Sequence, residues 1–136
     1  YLQSGGWVWR GVVPWAKKSS RPQMGRFSAQ CEYVVWGSNG ALPVERDVGC
    51  LPGFYSYSAP TDREHVTQKP DGLMEDMAEI CPPGGVILDP FMGSGTTGVG
   101  AVKAGRTFVG IELDAHSFDI ACRRLDDAQR QVRLIA

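Results

Sequence analysis

Bulky apolar residues alternate through residues 7–13, Trp7-Val8-Trp9-Arg10-Gly11-Val12-Val13, and this period of two predicts a β-strand that Pro14 ends. A polar stretch broken by Pro22 and Gly25 follows and predicts a loop. Residues 31–37 predict a second strand, closed by the turn signal Ser38-Asn39-Gly40, with a hairpin as one use of Asn39-Gly40. The next apolar run, residues 48–57, contains Pro52 and Gly53 and is read as an irregular edge strand. In it Tyr55 and Tyr57 alternate with serines, a pattern that suits packing on one sheet face better than an aromatic cage. After a polar linker over residues 59–64, Leu73, Met74, Met77 and Ile80 recur at helical spacing behind Pro70, and Pro82-Pro83-Gly84-Gly85 stops that helix. Residues 85–88 are a short β-branched run that predicts a buried strand, residues 99–104 a helix, and residues 107–111 a further strand. In the long final helix Phe118, Ala121, Cys122, Leu125, Ala128 and Val132 share an apolar face. Arg123, Arg124, Asp126, Asp127 and Arg130 lie largely off it as a solvated face.

Composition narrows the picture. The 136 residues are one domain's worth of chain, and 43% hydrophobic with 21% charged residues is ordinary for a soluble globular protein. No apolar run reaches the length of a membrane span, and nothing at the start reads as a signal peptide. Cys31, Cys50, Cys81 and Cys122 are scattered without metal-ligand spacing, so no metal site is expected, and reduced, mostly buried thiols in a cytoplasmic protein are the simplest reading. The net charge of −1 hides an asymmetry: Arg10, Lys17, Lys18, Arg21 and Arg26 all precede Glu32, the first acidic residue. A basic loop flanked by Trp15 and Phe27 can track a phosphate backbone and offer a stacking surface, or it can be merely solvated.

The most informative stretch joins the strand at 85–88 to the following helix. Asp89-Pro90-Phe91-Met92-Gly93-Ser94-Gly95-Thr96-Thr97-Gly98 places a glycine turn between strand and helix, the opening of a nucleotide-binding βαβ unit. Gly93 and Gly95 let backbone approach a ligand, and Gly98 lets the helix lie near the strand. Glu112, at the end of the next strand and roughly 20 residues beyond the glycines, stands where a ribose hydroxyl pair is held. In a dinucleotide site the glycines follow the strand directly and pyrophosphate meets the helix N-terminus. Here Asp89 intervenes, repelling pyrophosphate and attracting a cation, which suits S-adenosylmethionine, with its ammonium, sulfonium and ribose, better than a nicotinamide cofactor.

These residues resemble the cofactor signature of the DNA amino-methyltransferases, which methylate adenine N6 or cytosine N4. His65-Val66-Thr67-Gln68-Lys69-Pro70 resembles that family's other cofactor segment, with Val66 where proline is more usual, and residues 26–36 resemble the strand after its target-base region. The resemblance spans nearly the whole chain, in the permuted order whose cofactor half is C-terminal. It implies an α/β, Rossmann-like sheet with helices on both faces, here incomplete, in one methyltransferase portion: residues 1–58 supply base- and DNA-side strands, residues 59–136 the cofactor-binding half. It implies S-adenosyl-L-methionine held by Thr67, Lys69, Asp89, Pro90, Phe91, Gly93, Ser94, Gly95, Thr96 and Glu112, and DNA met by Arg10, Lys17, Lys18, Arg21 and Arg26.

The family's catalytic Asp/Asn/Ser-Pro-Pro-aromatic motif does not occur, Val13-Pro14-Trp15 being no substitute, so no catalytic residue is expected in this chain. In the permuted order that motif belongs before Tyr1, on a strand between the two halves of the sheet. The chain is therefore expected to be a portion of a methyltransferase, inactive alone and completed by a second copy or by a chain carrying the motif. An inactive cofactor- or DNA-binding remnant is the alternative.

Overall fold

A computed structural model describes residues 1–18, 22, 24–43, 45–58 and 69–135. It divides into two compact units, Tyr1–Ala59 and Pro60–Ala136.

In the first unit, β1 (Val8–Lys17) pairs antiparallel with β2 (Cys31–Ser38) and parallel with the short β3 (Tyr55–Tyr57), giving the order β2-β1-β3. β1 does not stop at Pro14. Proline lacks an N–H and is tolerated where a ladder bond is not needed; Pro14 faces Tyr33 of β2, while β3 pairs only with Trp15, Ala16 and Lys17, so that among the described residues no strand pairs with the other side of β1 there. The irregular strand over 48–57 reduces to Tyr55–Tyr57. Tyr55 is buried, as packing requires, and Trp15 lies beneath the same strand, its indole N–H donating to the Tyr57 carbonyl at 3.0 Å. Trp15 is 4% exposed, so it is a core residue and offers no stacking surface. Asn39-Gly40 closes no hairpin; Gly40 has φ 77°, and its carbonyl accepts from Ser38 Oγ at 2.7 Å.

In the second unit, α1 (Asp71–Ala78) precedes β4 (Val86–Asp89), α2 (Thr96–Lys103), β5 (Thr107–Gly110) and α3 (Ala115–Ile135). β4 and β5 are parallel, with Asp89 opposite Gly110. α2 packs on this pair, and α1 and α3 pack on α2. A Cβ at Gly98 would lie 2.6 Å from the Phe108 ring of β5, and one at Gly100 would lie 2.5 Å from the backbone of Met74 in α1. The small residues of α2 thus set how closely its neighbours approach. Leu73 is fully buried, whereas Ile80 falls beyond the end of α1 and is exposed.

Two sequence expectations shift in this unit. Among the described residues β4 is covered on one face only: Val86 and Leu88 are about 60% exposed, and Val109 and Ile111 are exposed with them. The buried row of α3 is Ser117, Ile120, Ala121 and Ala128, with Arg124 and Leu125 half-buried among them. Phe118, Cys122 and Val132, placed on that face by hydrophobicity alone, are exposed. The thiols are free, and Cys50 and Cys122 are exposed rather than buried.

The α1–α2 contact is testable. Since the atoms facing Gly100 are backbone of Met74 and Glu75, which cannot swing aside, Gly100→Ala should destabilise the protein by roughly 1–3 kcal/mol in urea denaturation.

Candidate functional site

The carboxyl ends of two parallel strands are where open α/β sheets bind ligands. Here β4 ends on Asp89, β5 is followed by Glu112, and the intervening loop is stitched to that second strand end. Ile111 N–H donates to the Asp89 carbonyl at 2.9 Å, and Met92 N–H to the Ile111 carbonyl at 3.0 Å. Asp89 Oδ1 accepts from Phe91 N–H at 3.0 Å, so its carboxylate also shapes the turn that Pro90 begins.

Glu112 closes the loop from the other side. Its Oε2 accepts from Gly93 N–H at 2.9 Å, and its Oε1 accepts from Leu113 N–H at 2.8 Å and Asp114 N–H at 2.9 Å. The Asp114 N–H first, then those of Gly93 and Leu113, hold its carboxyl below the ordinary range, against the opposing effects of burial and the Asp114 carboxylate. Asp114 in turn caps α3, its Oδ2 accepting from Ser117 N–H at 2.8 Å and Ser117 Oγ at 2.7 Å.

Within the turn the motif residues face different ways. Gly93 (φ 52°) is open, with nothing within 4 Å of where a Cβ would stand. Gly95 (φ 76°) caps α2 and backs onto α3, where a Cβ would come within 2.8 Å of Ala121. Ser94 and Thr96 are buried, and both hydroxyls accept from Arg124 of α3, at 3.3 and 3.2 Å. Phe91 is 85% exposed beside them, and Pro90 and Lys69 are also exposed. Asp89 and the Gly93–Glu112 pair therefore lie at the carboxyl ends of the two paired strands, with Ser94, Gly95 and Thr96 immediately behind Gly93; Thr67 and His65 lie outside the described residues.

The basic residues are less uniform than their charge pattern. Arg10 is engaged at the end of β2, Nε donating to Ser38 Oγ at 2.9 Å and Nη2 to the Gly40 carbonyl at 3.3 Å. Lys17 lies in β1 and pairs with Glu32 of β2 at 3.5 Å. Lys18 and Arg26 are exposed, as is Phe27, and Arg21 lies outside the described residues.

Sequence reading missed Arg124. Its Nη1 donates to the Ser94 carbonyl at 2.6 Å as well as to the two hydroxyls, and its Nη2 meets Asp71 Oδ1 at 2.6 Å. The available signal was the three- and four-residue spacing of Ser117, Ile120, Ala121, Arg124 and Ala128, which puts Arg124 on the buried row.

A strand end carrying an aspartate-led glycine turn and, one βα unit on, a turn-binding glutamate is the arrangement expected at the ligand end of a Rossmann-like sheet. A family model described as DNA methylase matches residues 45–123, and the chain belongs to this family of DNA amino-methyltransferases. It is 45% identical over 65 residues to the DNA adenine methyltransferase YhdJ of Escherichia coli (strain K12), covering 47% of this chain and 22% of the relative. It is 49% identical over 63 residues to the Type II methyltransferase M.ScaI of Streptomyces caespitosus, covering 46% and 21%. Its structure is similar to the crystal structure of an M1.HpyAVI–SAM complex, with a TM-score of 0.76 and 30% identity over 92% of this chain and 66% of that one. The chain spans less than half the length of the curated relatives it matches.

The Glu112 arrangement predicts a pH response. A carboxyl held below its ordinary value of 4.5 binds these N–H groups above that value and loses them as pH falls through the lowered one. In NMR titration the Gly93 amide should therefore shift with a midpoint below 4.5, and Glu112→Gln should abolish that transition.

Proposed function

We infer that this chain is the cofactor-binding portion of a DNA methyltransferase acting on the exocyclic amine of adenine (N6) or cytosine (N4), with S-adenosyl-L-methionine as cofactor. The observation that carries this reading is the pair of carboxylates, Asp89 and Glu112, flanking a glycine turn whose Gly93 side is open. Two acceptor-only groups at one strand end suit a ligand that is cationic and rich in hydroxyls, and repel a phosphate. These acceptors thus fit the cofactor. Glu112, already ordered by three N–H groups, would receive ribose hydroxyls; Asp89 would face the cationic end; Lys69 would meet the amino-acid carboxylate; Phe91 and the Gly93–Gly95 backbone would line the approach. The bound cofactor supplies a methyl group on a positively charged sulfur.

Acceptance of the exocyclic amine's hydrogens and stacking of the flipped base fall to an Asp-Pro-Pro-Tyr-type segment beyond this sequence, from the same polypeptide or a complementing chain. The open face formed by Val86, Leu88, Val109 and Ile111 supports completion by further polypeptide, since an apolar sheet face of this kind is ordinarily covered. A second copy of this chain could cover it as well. A protein of this kind works in the cytoplasm, and among the described residues no helix is long and apolar enough to cross a membrane.

The cofactor assignment is tested by calorimetry with S-adenosylmethionine. Asp89→Ala and Glu112→Ala should each weaken binding by roughly 1–3 kcal/mol, the value of a charged hydrogen bond. Equal affinity in wild type and both variants would remove these residues from the site.

DNA contact by the acid-free N-terminal segment rests on Lys18 and Arg26, which are exposed, as is Phe27 next to Arg26 in sequence. Lys17 and Arg10 contribute less, because each already has a protein partner. Neutralising Lys18 and Arg26 together should flatten the salt dependence of duplex binding by up to about 0.9 per contact in log–log slope. An unchanged slope would show a solvated loop with no DNA role.

A further inference from the structure

Among the described residues of the second unit, Arg124 is a heavily engaged side chain outside the proposed ligand set. Its side chain is 11% exposed, yet one guanidinium reaches three elements. From α3 it grips the carbonyl and hydroxyl of Ser94 and the hydroxyl of Thr96, at the glycine turn and the start of α2. Its other nitrogen binds Asp71, the first residue of α1, directly after Lys69-Pro70. Pro70 is buried, so the chain entering α1 is anchored at that point. The two sequence segments that converge on the proposed cofactor are thus joined by a single planar group.

We propose that Arg124 is a positioning residue, which through Asp71 sets the distance between the Lys69-bearing entrance to α1 and the glycine turn and so aligns the site for the amino-acid end of the cofactor. This rests on the cofactor reading given above. The guanidinium is needed for its shape: a fork with fixed donor directions can hold Ser94 and Thr96 with one nitrogen and Asp71 with the other. A lysine ammonium is a point charge on a flexible stem and cannot hold both sides in register. Neither Arg124 nor Asp71 is required to touch the ligand. The nucleoside end depends instead on Glu112, which is organised by Gly93, Leu113 and Asp114 without Arg124.

That division makes the role separable from simple loss of stability. The 136-residue chain and its variants Arg124→Lys, Asp71→Asn and the double variant are titrated with S-adenosylhomocysteine and with 5′-methylthioadenosine, which lacks the amino-acid end. Far-UV circular dichroism and thermal melting check the fold of each. Each single variant should lose about tenfold or more in affinity for S-adenosylhomocysteine, the scale of a lost charge-assisted bond. Affinity for methylthioadenosine should stay within about twofold, and the double variant should be little worse than either single one, as for two halves of one interaction. If folded variants bind S-adenosylhomocysteine like wild type, or lose both ligands equally, the positioning role is wrong. If Arg124→Lys does not fold, Asp71→Asn decides by the same criteria, since it leaves the contacts to Ser94 and Thr96 in place. Failure of the wild-type chain to bind either ligand would overturn the cofactor reading and this role with it. Wild-type binding that is insensitive to Asp71 and Arg124 would overturn only the role.

Discussion

A single carboxylate accepting three backbone N–H groups is the constraint on which the second unit depends. Glu112 binds Gly93 from the turn after β4, and Leu113 and Asp114 from the chain leaving β5. Parallel strands fix only the register of β4 against β5; they say nothing about the loops at their ends. The glutamate converts two independent loops into one surface, because an ionised carboxylate has acceptor capacity for several donors and each oxygen can serve a different loop. Its neighbour Asp114 carries the order onward by capping α3, which brings Ala121 and Arg124 up behind the turn. Three of the roughly four acceptor sites of the carboxylate are used by these N–H groups, so the proposed ribose contact would take the remaining one or displace an N–H.

Much of the second unit was legible because its signals are local. The β-branched run, the aspartate and the spaced glycines each constrain backbone within a few residues, and they predicted β4, the turn, α2 and β5 with small boundary errors. The face of α3 was misread because side-chain hydrophobicity stood in for burial. Phe118 and Val132 attracted the assignment, whereas the close approach of Gly95 to Ala121 selects the row containing Ser117, Ala121 and Ala128, and Arg124 enters that row paired with Asp71. No composition rule identifies an arginine whose partners lie 28, 30 and 53 residues away.

In the first unit the errors come from strand pairing. Pro14 looks like a terminator in one dimension, yet a proline can sit in a strand where one neighbour is absent, and β3 begins to pair only at Trp15. Because the strand continues, Trp15 turns from a loop-edge aromatic into a core residue bonded to Tyr57, and Lys17 from a loop cation into a strand residue paired with Glu32. The charge asymmetry of the sequence is real, but pairing removes part of it from availability. Arg10 illustrates the same point, holding the end of β2 through Ser38 and Gly40 rather than standing free.

The glycine motif itself divides into an open side and a support side, a division invisible in its spelling. Gly93 looks onto open space, and there the absence of a side chain serves whatever approaches the turn. Gly95 shares the left-handed backbone but lacks the open space, since a Cβ there would collide with Ala121 of α3. Ser94 and Thr96, polar residues that a motif comparison assigns to the ligand, turn their hydroxyls inward to Arg124. Burying those groups without partners would cost about 1–3 kcal/mol each, so the arginine is what permits polar residues behind the turn. Neighbouring positions of one short segment thus face open space and the packed interior, and a turn built of flexible glycines is held by what lies behind it rather than by its own backbone.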